Sequence, residues 1–337
     1  MKQGYLFADC VSILIARWLA HPYLKPMKIA VISGVSGLVG SEVAESLIKS
    51  GYQVRGLSRS PGRLPSSIQG YHWDPDNGEL DESCLEDAST LIHLAGENIA
   101  DGRWTEKRKR EIIESRTRSC NLLADGIKNL ASRGQSTPES VILASAIGYY
   151  GNRGDEMLSE DSPPGEGFLS ETTIEWEKAG TFPATVREVR LRIGVVLSRE
   201  GGALREMERP LKLFAGAVPG SGKQYLSWIH FKDLARMIQF SVETDSVKGI
   251  YNAVSPDPRT MDSFMKSLGK AVGRPVYLPN VPGFALKLML GEMSEMILGG
   301  ARISSDKIQK TGFQFEFSDL DSALENLYAG KKAATGA

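Results

Sequence analysis

The apolar positions in the first part of the chain form two kinds of run, which predict alternating strands and helices. Residues 28–33 (KIAVIS) are a short β-branched run before a glycine, as expected of a buried parallel strand. Residues 38–50 space their apolar side chains three and four apart, which is typical of a helix with one buried face. Gly51 ends that helix, and residues 52–58 (YQVRGLS) return as a second strand. Together they predict a right-handed crossover unit of about 30 residues.

The same alternation continues to about residue 198. Strands are predicted at 70–73, 89–95, 140–146 and 186–197, and helices at 104–131 and 171–180. Glycine-rich loops then precede three segments with helical periodicity, at 231–242, 261–272 and 284–298. The expected fold is α/β, a doubly wound Rossmann-type parallel sheet over residues 27–198 with a smaller, mostly helical C-terminal substrate or cap region over residues 199–337. The sheet is expected to end near Leu197.

Composition and charge exclude several classes of protein. The 337 residues are 41% hydrophobic and 24% charged, with a formal net charge of −1, so no overall field attracts nucleic acid. The cysteines Cys10, Cys84 and Cys120 lie too far apart in sequence for a disulfide framework or a metal-ligand pair. We therefore expect a reducing compartment, no metal and no nucleic-acid partner. His93, inside an apolar strand, is expected to be a core residue rather than a catalyst.

The N-terminal extension, residues 1–26, differs from the rest of the chain. Its apolar stretch is interrupted by Asp9 and Arg17 and is shorter than a bilayer span requires, so no membrane span is predicted. It also lacks the uncharged centre of a secretory signal and the many Ser and Arg residues of a transit peptide. The favoured interpretation is an upstream start or a loose tail on a cytoplasmic protein. An organellar stroma or matrix is the alternative if these residues are a targeting segment.

The strongest chemical signal is the glycine-rich turn between the first strand and its helix, residues 34–40 (GVSGLVG). Gly34 allows the tight turn, Gly37 removes a side chain where a pyrophosphate passes, and Gly40 lets the helix approach the strand. Leu38 opens that helix, whose free N–H groups and positive dipole end favour phosphate. The three glycines in this strand-turn-helix context predict a dinucleotide site.

The residues after the second strand indicate which dinucleotide binds. An NAD enzyme places Asp or Glu there to hydrogen-bond the ribose 2′-hydroxyl. This chain has Ser58 and Arg59 instead, a hydroxyl and a guanidinium that can bind a 2′-phosphate, which a carboxylate would repel. NADP(H) is therefore preferred to NAD(H). The alternative is that Arg59 is a solvated loop residue.

Longer segments carry a resemblance to a known family. They are 91–98 (LIHLAGEN), 102–116 (GRWTEKRKREIIESR), 145–151 (SAIGYYG), 191–197 (LRIGVVL), 220–234 (GSGKQYLSWIHFKDL) and 282–298. The chain resembles an atypical extended short-chain dehydrogenase/reductase of the NAD-dependent epimerase/dehydratase superfamily, in the subgroup labelled "epimerase family protein" or SulA-like cell-division inhibitor. The resemblance covers residues 27 to about 327.

The resemblance implies further cofactor contacts, at Leu94, Ala95, Gly96, Glu111, Arg116 and Val196. It also supports the role of Ser58 and Arg59 at the 2′-phosphate. For Glu111 and Arg116 an alternative stays open, because their helix pairs Glu106 with Arg110 and Glu114 with Arg118 four residues apart, as on a salt-bridged solvated face.

The family pattern breaks at the catalytic residues. An ordinary extended reductase uses a serine after its fifth strand and a later Tyr-x-x-x-Lys, whose tyrosine is the acid/base. Ser145 stands in the expected place, but the helix reads Phe168 to Thr172 and offers neither phenol nor ammonium. No Tyr-x-x-x-Lys is expected anywhere in this chain. Tyr149, with Arg153 four residues on, is the nearest substitute. Ser145 and Tyr149 are thus candidate catalytic residues, or else they shape a pocket above the nicotinamide without acid/base work.

Two functions stay open at this point. The first is an NADP(H)-dependent oxidoreductase or nucleotide-sugar epimerase of weak activity, whose unidentified small-molecule substrate is a nucleotide sugar or a small carbonyl. The second is a non-catalytic NADP(H)-binding regulatory module that acts through a protein partner, related to cell division as the subgroup's label implies. The missing Tyr/Lys pair favours the second, whereas the serine and the glycine turn fit both. The sequence leaves open whether the protein forms a homodimer.

Overall fold

The structure is a computed structural model that describes residues 27–332, and its central feature is a sheet of eight strands. The strands, in chain order, are β1 Ile29–Ser33, β2 Gln53–Ser58, β3 Gln69–Asp74, β4 Glu79–Leu80, β5 Thr90–His93, β6 Ser140–Ala146, β7 Met157–Leu158, β8 Arg187–Ile193, β9 Val195–Leu197, β10 Tyr225–Leu226, β11 Trp228–His230, β12 Gly249–Ala253, β13 Arg259–Thr260 and β14 Arg302–Ile303. The helices are α1 Leu38–Lys49, α2 Glu106–Ser132, α3 Phe168–Lys178, α4 Ala203–Lys212, α5 Phe231–Glu243, α6 Met261–Val272, α7 Gly283–Leu290, α8 Glu295–Leu298, α9 Asp306–Lys310 and α10 Leu320–Lys332.

The strand order of the main sheet is β12-β8-β6-β5-β1-β2-β3-β4. All neighbours are parallel except β3 and β4, which pair antiparallel. From β1 the chain builds outward through β2 and β3, then crosses to β5 on the other side of β1. The direction of building therefore reverses between β1 and β5, which confirms the doubly wound Rossmann-type fold. In such sheets ligands bind beyond the carboxyl ends of the strands at this reversal.

Apolar side chains of β1 alternate between the two faces of the sheet because successive residues of a strand point in opposite directions. Ala30 and Ile32 face one core, which also receives α1 and α5. Val31 faces the other, against α2. The second core holds the buried free thiols of Cys84 and Cys120, and burial raises their pKa values to about 12 and about 11. Both thiols are therefore unreactive near neutral pH.

The expectation that the sheet ends near Leu197 is wrong. Strand β12 pairs with β8 and forms an additional edge, and α5 packs on α1, although both elements lie beyond residue 198. The predicted strand 186–197 is also broken at Gly194, where a Cβ atom would lie 2.7 Å from the Ser227 carbonyl oxygen. The chain thus returns to the sheet after leaving it. The division into residues 27–198 and 199–337 stays a prediction about domains.

We call α4, α6, α7, α8 and α10, which all follow Leu197 in the chain, the cap. An apolar cluster joins three of these helices through Leu204 of α4, Phe264 of α6 and Leu320 of α10. The predicted helix 284–298 is interrupted at Gly291, whose φ of 62° favours glycine, so it becomes α7, a 3-10 turn and α8. Within residues 27–332, no helix combines the length and apolar character needed to cross a bilayer. The same residues contain no cluster of three or more His, Cys, Asp or Glu suited to a metal ion. The prediction for residues 1–26 lies outside the described residues.

Candidate functional site

The glycine turn holds the start of α1 directly over the ends of β1 and β5. Gly34 has a φ of +73°, and a Cβ atom there would lie 2.9 Å from the Ala95 nitrogen. At Gly40, in the first turn of α1, a Cβ atom would lie only 2.1 Å from the Gly34 carbonyl oxygen. Gly37 is tighter than most positions, with 3.2 Å from a Cβ atom to the same oxygen. Side chains at Gly34 and Gly40 would therefore displace the backbone that forms the turn.

The first turn of α1 is open to an anion. Gly37 is the N-cap and makes no side-chain capping hydrogen bond, and no acidic residue lies in the first turn. The N–H groups at the start of a helix have no intrahelical acceptor, and they carry the positive end of the dipole. The turn and the helix start therefore fit the pyrophosphate of a dinucleotide.

The end of β2 lies beside this turn because β2 is the parallel neighbour of β1. Ser58 ends the strand, and its Oγ accepts a hydrogen bond of 3.0 Å from the Ser60 backbone nitrogen. The Arg59 side chain is exposed and has no carboxylate at ion-pair distance within residues 27–332. A hydroxyl and a guanidinium without a carboxylate partner thus stand at the edge where the sequence predicts the 2′-phosphate.

The residues after β5 form the opposite wall of the turn. The Leu94 nitrogen donates to the Ser33 carbonyl oxygen at 3.2 Å, and the Ala95 nitrogen donates to the Ser33 Oγ at 3.4 Å. Gly96 follows, and a Cβ atom there would lie 3.7 Å from the Cζ atom of Arg116. The structure therefore brings Leu94 and Ala95 next to the glycine turn, and Gly96 next to Arg116.

His93, at the end of β5, is a core residue, as the sequence predicts. Its Nδ1 lies 2.6 Å from the Ser33 Oγ, and its Nε2 lies 3.1 Å from the Ser119 Oγ. Since Ser119 donates to the Arg116 carbonyl oxygen, its oxygen is left to accept the Nε2 proton of His93. Burial lowers the pKa of His93 to about 4, so the ring is neutral at neutral pH.

The two predicted cofactor residues of α2 lie in different surroundings. Arg116 donates to the Glu97 carbonyl oxygen at 2.9 Å and lies over the Trp176 ring, and burial lowers its pKa to about 10. Glu111 instead pairs with Arg108 at 3.2 Å in a partly exposed cluster. Arg116 therefore borders the site, whereas the surroundings of Glu111 match the solvated helix face that was its alternative.

Val196 lies in the short strand β9, which follows β8 in the chain and pairs with β11 outside the main sheet. It is half-buried against the first core and pairs in register with Ile229 of β11. Its position places an apolar side chain near the carboxyl end of β8.

Ser145, near the end of β6, is 3% exposed, and its Oγ donates to Glu177 Oε1 at 2.6 Å. Glu177 comes from α3 and receives two further hydrogen bonds from Arg192 of β8, each of 2.8 Å. Such a fork of two parallel bonds holds a carboxylate in one orientation. The proton of Ser145 is therefore committed to Glu177, and its oxygen keeps only lone pairs for another partner.

Arg192 is the centre of this buried network. It is 2% exposed and donates from Nη1 to the Tyr150 hydroxyl at 3.0 Å, which donates in turn to Asn252 Oδ1 at 2.7 Å. Burial opposes the charge of Arg192, but the hydrogen bonds and charge of Glu177 outweigh it and raise the pKa above its ordinary value. Burial also raises the pKa of Tyr150, despite Arg192. Tyr150 is therefore a neutral phenol, and Arg192 keeps its charge.

Tyr149 lies against the same arginine but is less buried than Tyr150. The Arg192 Cζ atom is 3.4 Å from the centroid of the Tyr149 ring, a cation–π contact that fixes the ring. Tyr149 is half-buried, and its hydroxyl has no hydrogen-bond partner among the described residues. Arg153, four residues on, pairs instead with Glu156 at 2.8 Å. The arginine beside Tyr149 thus comes from β8 and not from its own loop.

The positions where the pair was expected are apolar or buried. Phe168 packs edge-on against Trp104, with ring centroids 4.7 Å apart, and Thr172 is 3% exposed. One Tyr-x-x-x-Lys spacing does occur in the sequence, at Tyr328 and Lys332, so the expectation that the chain lacks it is wrong. Tyr328 lies in α10 within the cap cluster, however, and burial raises its pKa, so it does not supply the missing acid/base.

Sequence reasoning missed Glu177 and Arg192. A signal was present, because Glu177 is a carboxylate on the helix that should carry the Tyr/Lys pair, and Arg192 lies in the resembling segment 191–197. Neither residue type indicates burial by itself, since Glu and Arg are mostly exposed.

Two polar contacts join the segment after β5 and the start of α2 to α7 and the turn that follows it. Lys109, near the start of α2, forms an ion pair with Glu292 of the turn after α7. Arg103 donates to the Met289 carbonyl oxygen at 3.4 Å. The loop that follows β5 is therefore tied to the cap on the carboxyl side of the sheet.

Comparison of the sequence with known proteins identifies two matching family models and several relatives that align over most of the chain. A family model described as the NAD dependent epimerase/dehydratase family matches residues 30–172, and a domain of unknown function (DUF1731) matches residues 281–327. The chain is 38% identical over 309 residues to epimerase family protein YfhF of Bacillus subtilis (strain 168), covering 91% of this chain and 99% of that protein. It is 36% identical over 304 residues to epimerase family protein SDR39U1 of Mus musculus, covering 89% and 99%.

Solved structures of epimerase-type proteins have a similar fold. The crystal structure of human epimerase family protein SDR39U1 (isoform 2) with NADPH matches with a TM-score of 0.79 and 29% identity, covering 89% of this chain and 99% of that chain. The structure of MoeE5 in complex with UDP-glucose and NAD shares the fold at a TM-score of 0.70 and 20% identity, covering 90% and 99%. The resemblance drawn from the sequence is thus confirmed for the epimerase family, and its SulA-like cell-division label stays a prediction. The chain belongs to the NAD dependent epimerase/dehydratase family, among its epimerase family proteins.

Proposed function

We propose that the protein binds NADP(H) at the glycine turn and uses it in an oxidoreductase or epimerase reaction. One observation carries this proposal. The turn of Gly34 to Gly40, which we call the cradle, leaves no room for side chains at Gly34 and Gly40 and leads into the uncapped start of α1, where the direction of the sheet reverses. The NADPH in the structure of human SDR39U1 supports the choice of dinucleotide.

Each part of the cofactor has candidate residues in the chain. The N–H groups of Leu38 and its neighbours would hold the pyrophosphate, and Ser58 with Arg59 would hold the 2′-phosphate. The small residues Ala95 and Gly96 leave room for the cofactor between β1 and β5, and Val196 would lie near its nicotinamide end. Bound NADP(H) supplies or accepts a hydride at a substrate carbon.

Ser145 and Tyr149 would bind the substrate oxygen in complementary ways. The free hydroxyl of Tyr149 can donate a hydrogen bond or a proton, whereas Ser145, whose proton is held by Glu177, can only accept. Arg192 keeps Glu177 in place and fixes the Tyr149 ring. The substrate classes that we propose are nucleotide sugars and small carbonyls. MoeE5, which shares the fold, is described with UDP-glucose.

A second candidate is an NADP(H)-binding module that acts through a protein partner without turnover. The burial of Ser145, with its proton held by Glu177, favours this function. The apolar contact of Phe168 with Trp104, where a reductase would place an acid/base, favours it as well.

Fluorescence titration of the purified protein with NADPH and NADH, followed by a turnover screen over UDP-sugars and small carbonyls, tests both functions. Turnover that is lost in Ser145→Ala and Tyr149→Phe would support the enzyme. Tight NADPH binding without turnover would support the module. Turnover that survives both substitutions would refute the catalytic assignment, and binding of neither dinucleotide would overturn both candidates.

A further inference from the structure

A cavity of about 600 Å³ adjoins the glycine turn on the side of α1. It lies between α1 and residues 61–68, which connect β2 to β3. Val35 and Ser36 of the turn line the cavity, and Arg63 lines it from the connecting segment. The predicted phosphate-binding turn therefore also borders this cavity, and the roles given above to Gly34, Gly37 and Gly40 do not account for it.

The segment that carries Arg63 is held tightly against the sheet. A Cβ atom at Gly56 of β2 would lie 2.7 Å from the Leu64 side chain, and one at Gly70 of β3 would lie 2.5 Å from the Pro61 carbonyl oxygen. Glycines at these two strand positions let the segment pack directly on the strands. Pro61 is also the first residue of the 3-10 turn that contains Arg63, and its ring fixes its own φ. The backbone of Arg63 is therefore fixed by packing, across the cavity from α1.

The charges around the cavity leave Arg63 without a protein partner. Lys49, the other cation of the lining, forms a hydrogen-bonded ion pair of 2.5 Å with Glu45. Arg63 is exposed and has no carboxylate at ion-pair distance in the part of the chain that the structure describes. Ser36 adds a hydroxyl from the glycine turn. A guanidinium and a hydroxyl on the lining of one cavity suit a phosphate monoester.

We infer that Arg63 is a second cation for the 2′-phosphate of NADP(H), assisted by Ser36, so that Arg59 and Arg63 together determine the preference over NAD(H). Both arginines lie in the same connection, and the backbone of Arg63 is the one fixed by Gly56 and Gly70. This inference rests on the proposed function. It adds a specificity residue that the expected Ser58 and Arg59 pair does not include.

The test compares dissociation constants of the full-length protein for NADPH, NADH, 2′,5′-ADP and 5′-AMP. The variants are Arg63→Ala and, as a matched control from the same cavity, Lys49→Ala. We expect Arg63→Ala to weaken NADPH and 2′,5′-ADP about tenfold, the loss typical of one charged hydrogen bond, and to leave NADH and 5′-AMP within about twofold. Lys49→Ala should change each of the four by less than about twofold, because Lys49 and Glu45 form a solvent-exposed pair whose charges are screened by water. Circular dichroism establishes that both variants are folded.

Two results would overturn the inference while leaving the proposed function intact. One is wild-type affinity of Arg63→Ala for NADPH. The other is an equal loss for the phosphorylated and unphosphorylated ligands, which would show that Arg63 acts on the shape of the site and not on the 2′-phosphate. If the wild-type protein binds neither NADPH nor 2′,5′-ADP, the proposed function fails together with the inference.

Discussion

Replacing Glu177 by Gln should destabilise the protein strongly, because it leaves the buried Arg192 without a compensating charge. The two side chains are 11% and 2% exposed and share two hydrogen bonds of 2.8 Å. The amide oxygen of Gln can keep one bond, to Ser145 or to Arg192, but its NH₂ group faces a guanidinium and cannot accept. Breaking a buried pair at one partner costs about 3 to 5 kcal/mol, and we expect about 3 kcal/mol because one bond can persist.

The assay is urea unfolding followed by circular dichroism, with the free energy of unfolding extrapolated to water. The matched control is Glu175→Gln, on the same helix. Glu175 is 53% exposed and pairs with Lys178 at the surface, so its loss should cost less than about 0.5 kcal/mol. A double variant, Glu177→Leu with Arg192→Met, should recover part of the loss because no charge is left buried. A Glu177→Gln protein as stable as the control variant would refute the buried network.

Three further outcomes follow from the structure. Gly40→Ala should lower the melting temperature and weaken NADPH at least about tenfold in a titration, because its Cβ would lie 2.1 Å from the Gly34 oxygen; unchanged binding would contradict the cradle. Burial lowers the pKa of His93 from 6.5 to about 4, so below pH 6.5 the unfolded chain binds a proton that the folded protein excludes. The free energy of unfolding should therefore fall by about 2 kcal/mol between pH 7 and pH 5 on account of His93, and His93→Gln should flatten that decline; an identical slope in the variant would disprove it. Arg59→Glu should shift the NADPH to NADH preference at least about tenfold toward NADH by placing a carboxylate at the 2′ position, and an unmoved ratio would place the 2′-phosphate elsewhere.

The sheet was predictable where its strands are short apolar runs bounded by turns. The runs at 28–33 and 140–146 are of this kind, and the structure has strands there at Ile29–Ser33 and Ser140–Ala146. Strand β12 was missed because GIYNA is short and lies after the region of regular alternation, so only its pairing with β8 identifies it. The break at Gly194 was missed for a similar reason, since the crowding comes from Ser227, which is distant in sequence.

The candidate site was predictable at the glycine turn, because local spacing there encodes the backbone that the structure has. The network of Ser145, Glu177 and Arg192 was not, since it joins two strands and a helix. No single segment contains more than one of its members. Charged residues on a helix or a strand are ordinarily solvated, so only the packing of α3 against β6 and β8 shows that these are buried and paired. The absence of a Tyr/Lys pair on α3 was predicted from the sequence. The buried Glu177 and Arg192, which hold Ser145 in place, were not predicted.

Isothermal titration calorimetry of the purified protein with NADPH, and then with NADH, tests the central claim most directly. If the cradle of Gly34 and Gly40 holds NADP(H), NADPH should bind with a stoichiometry of about one per chain and at least about tenfold more tightly than NADH. Binding of NADH as tight as that of NADPH, or no binding of either, would contradict it.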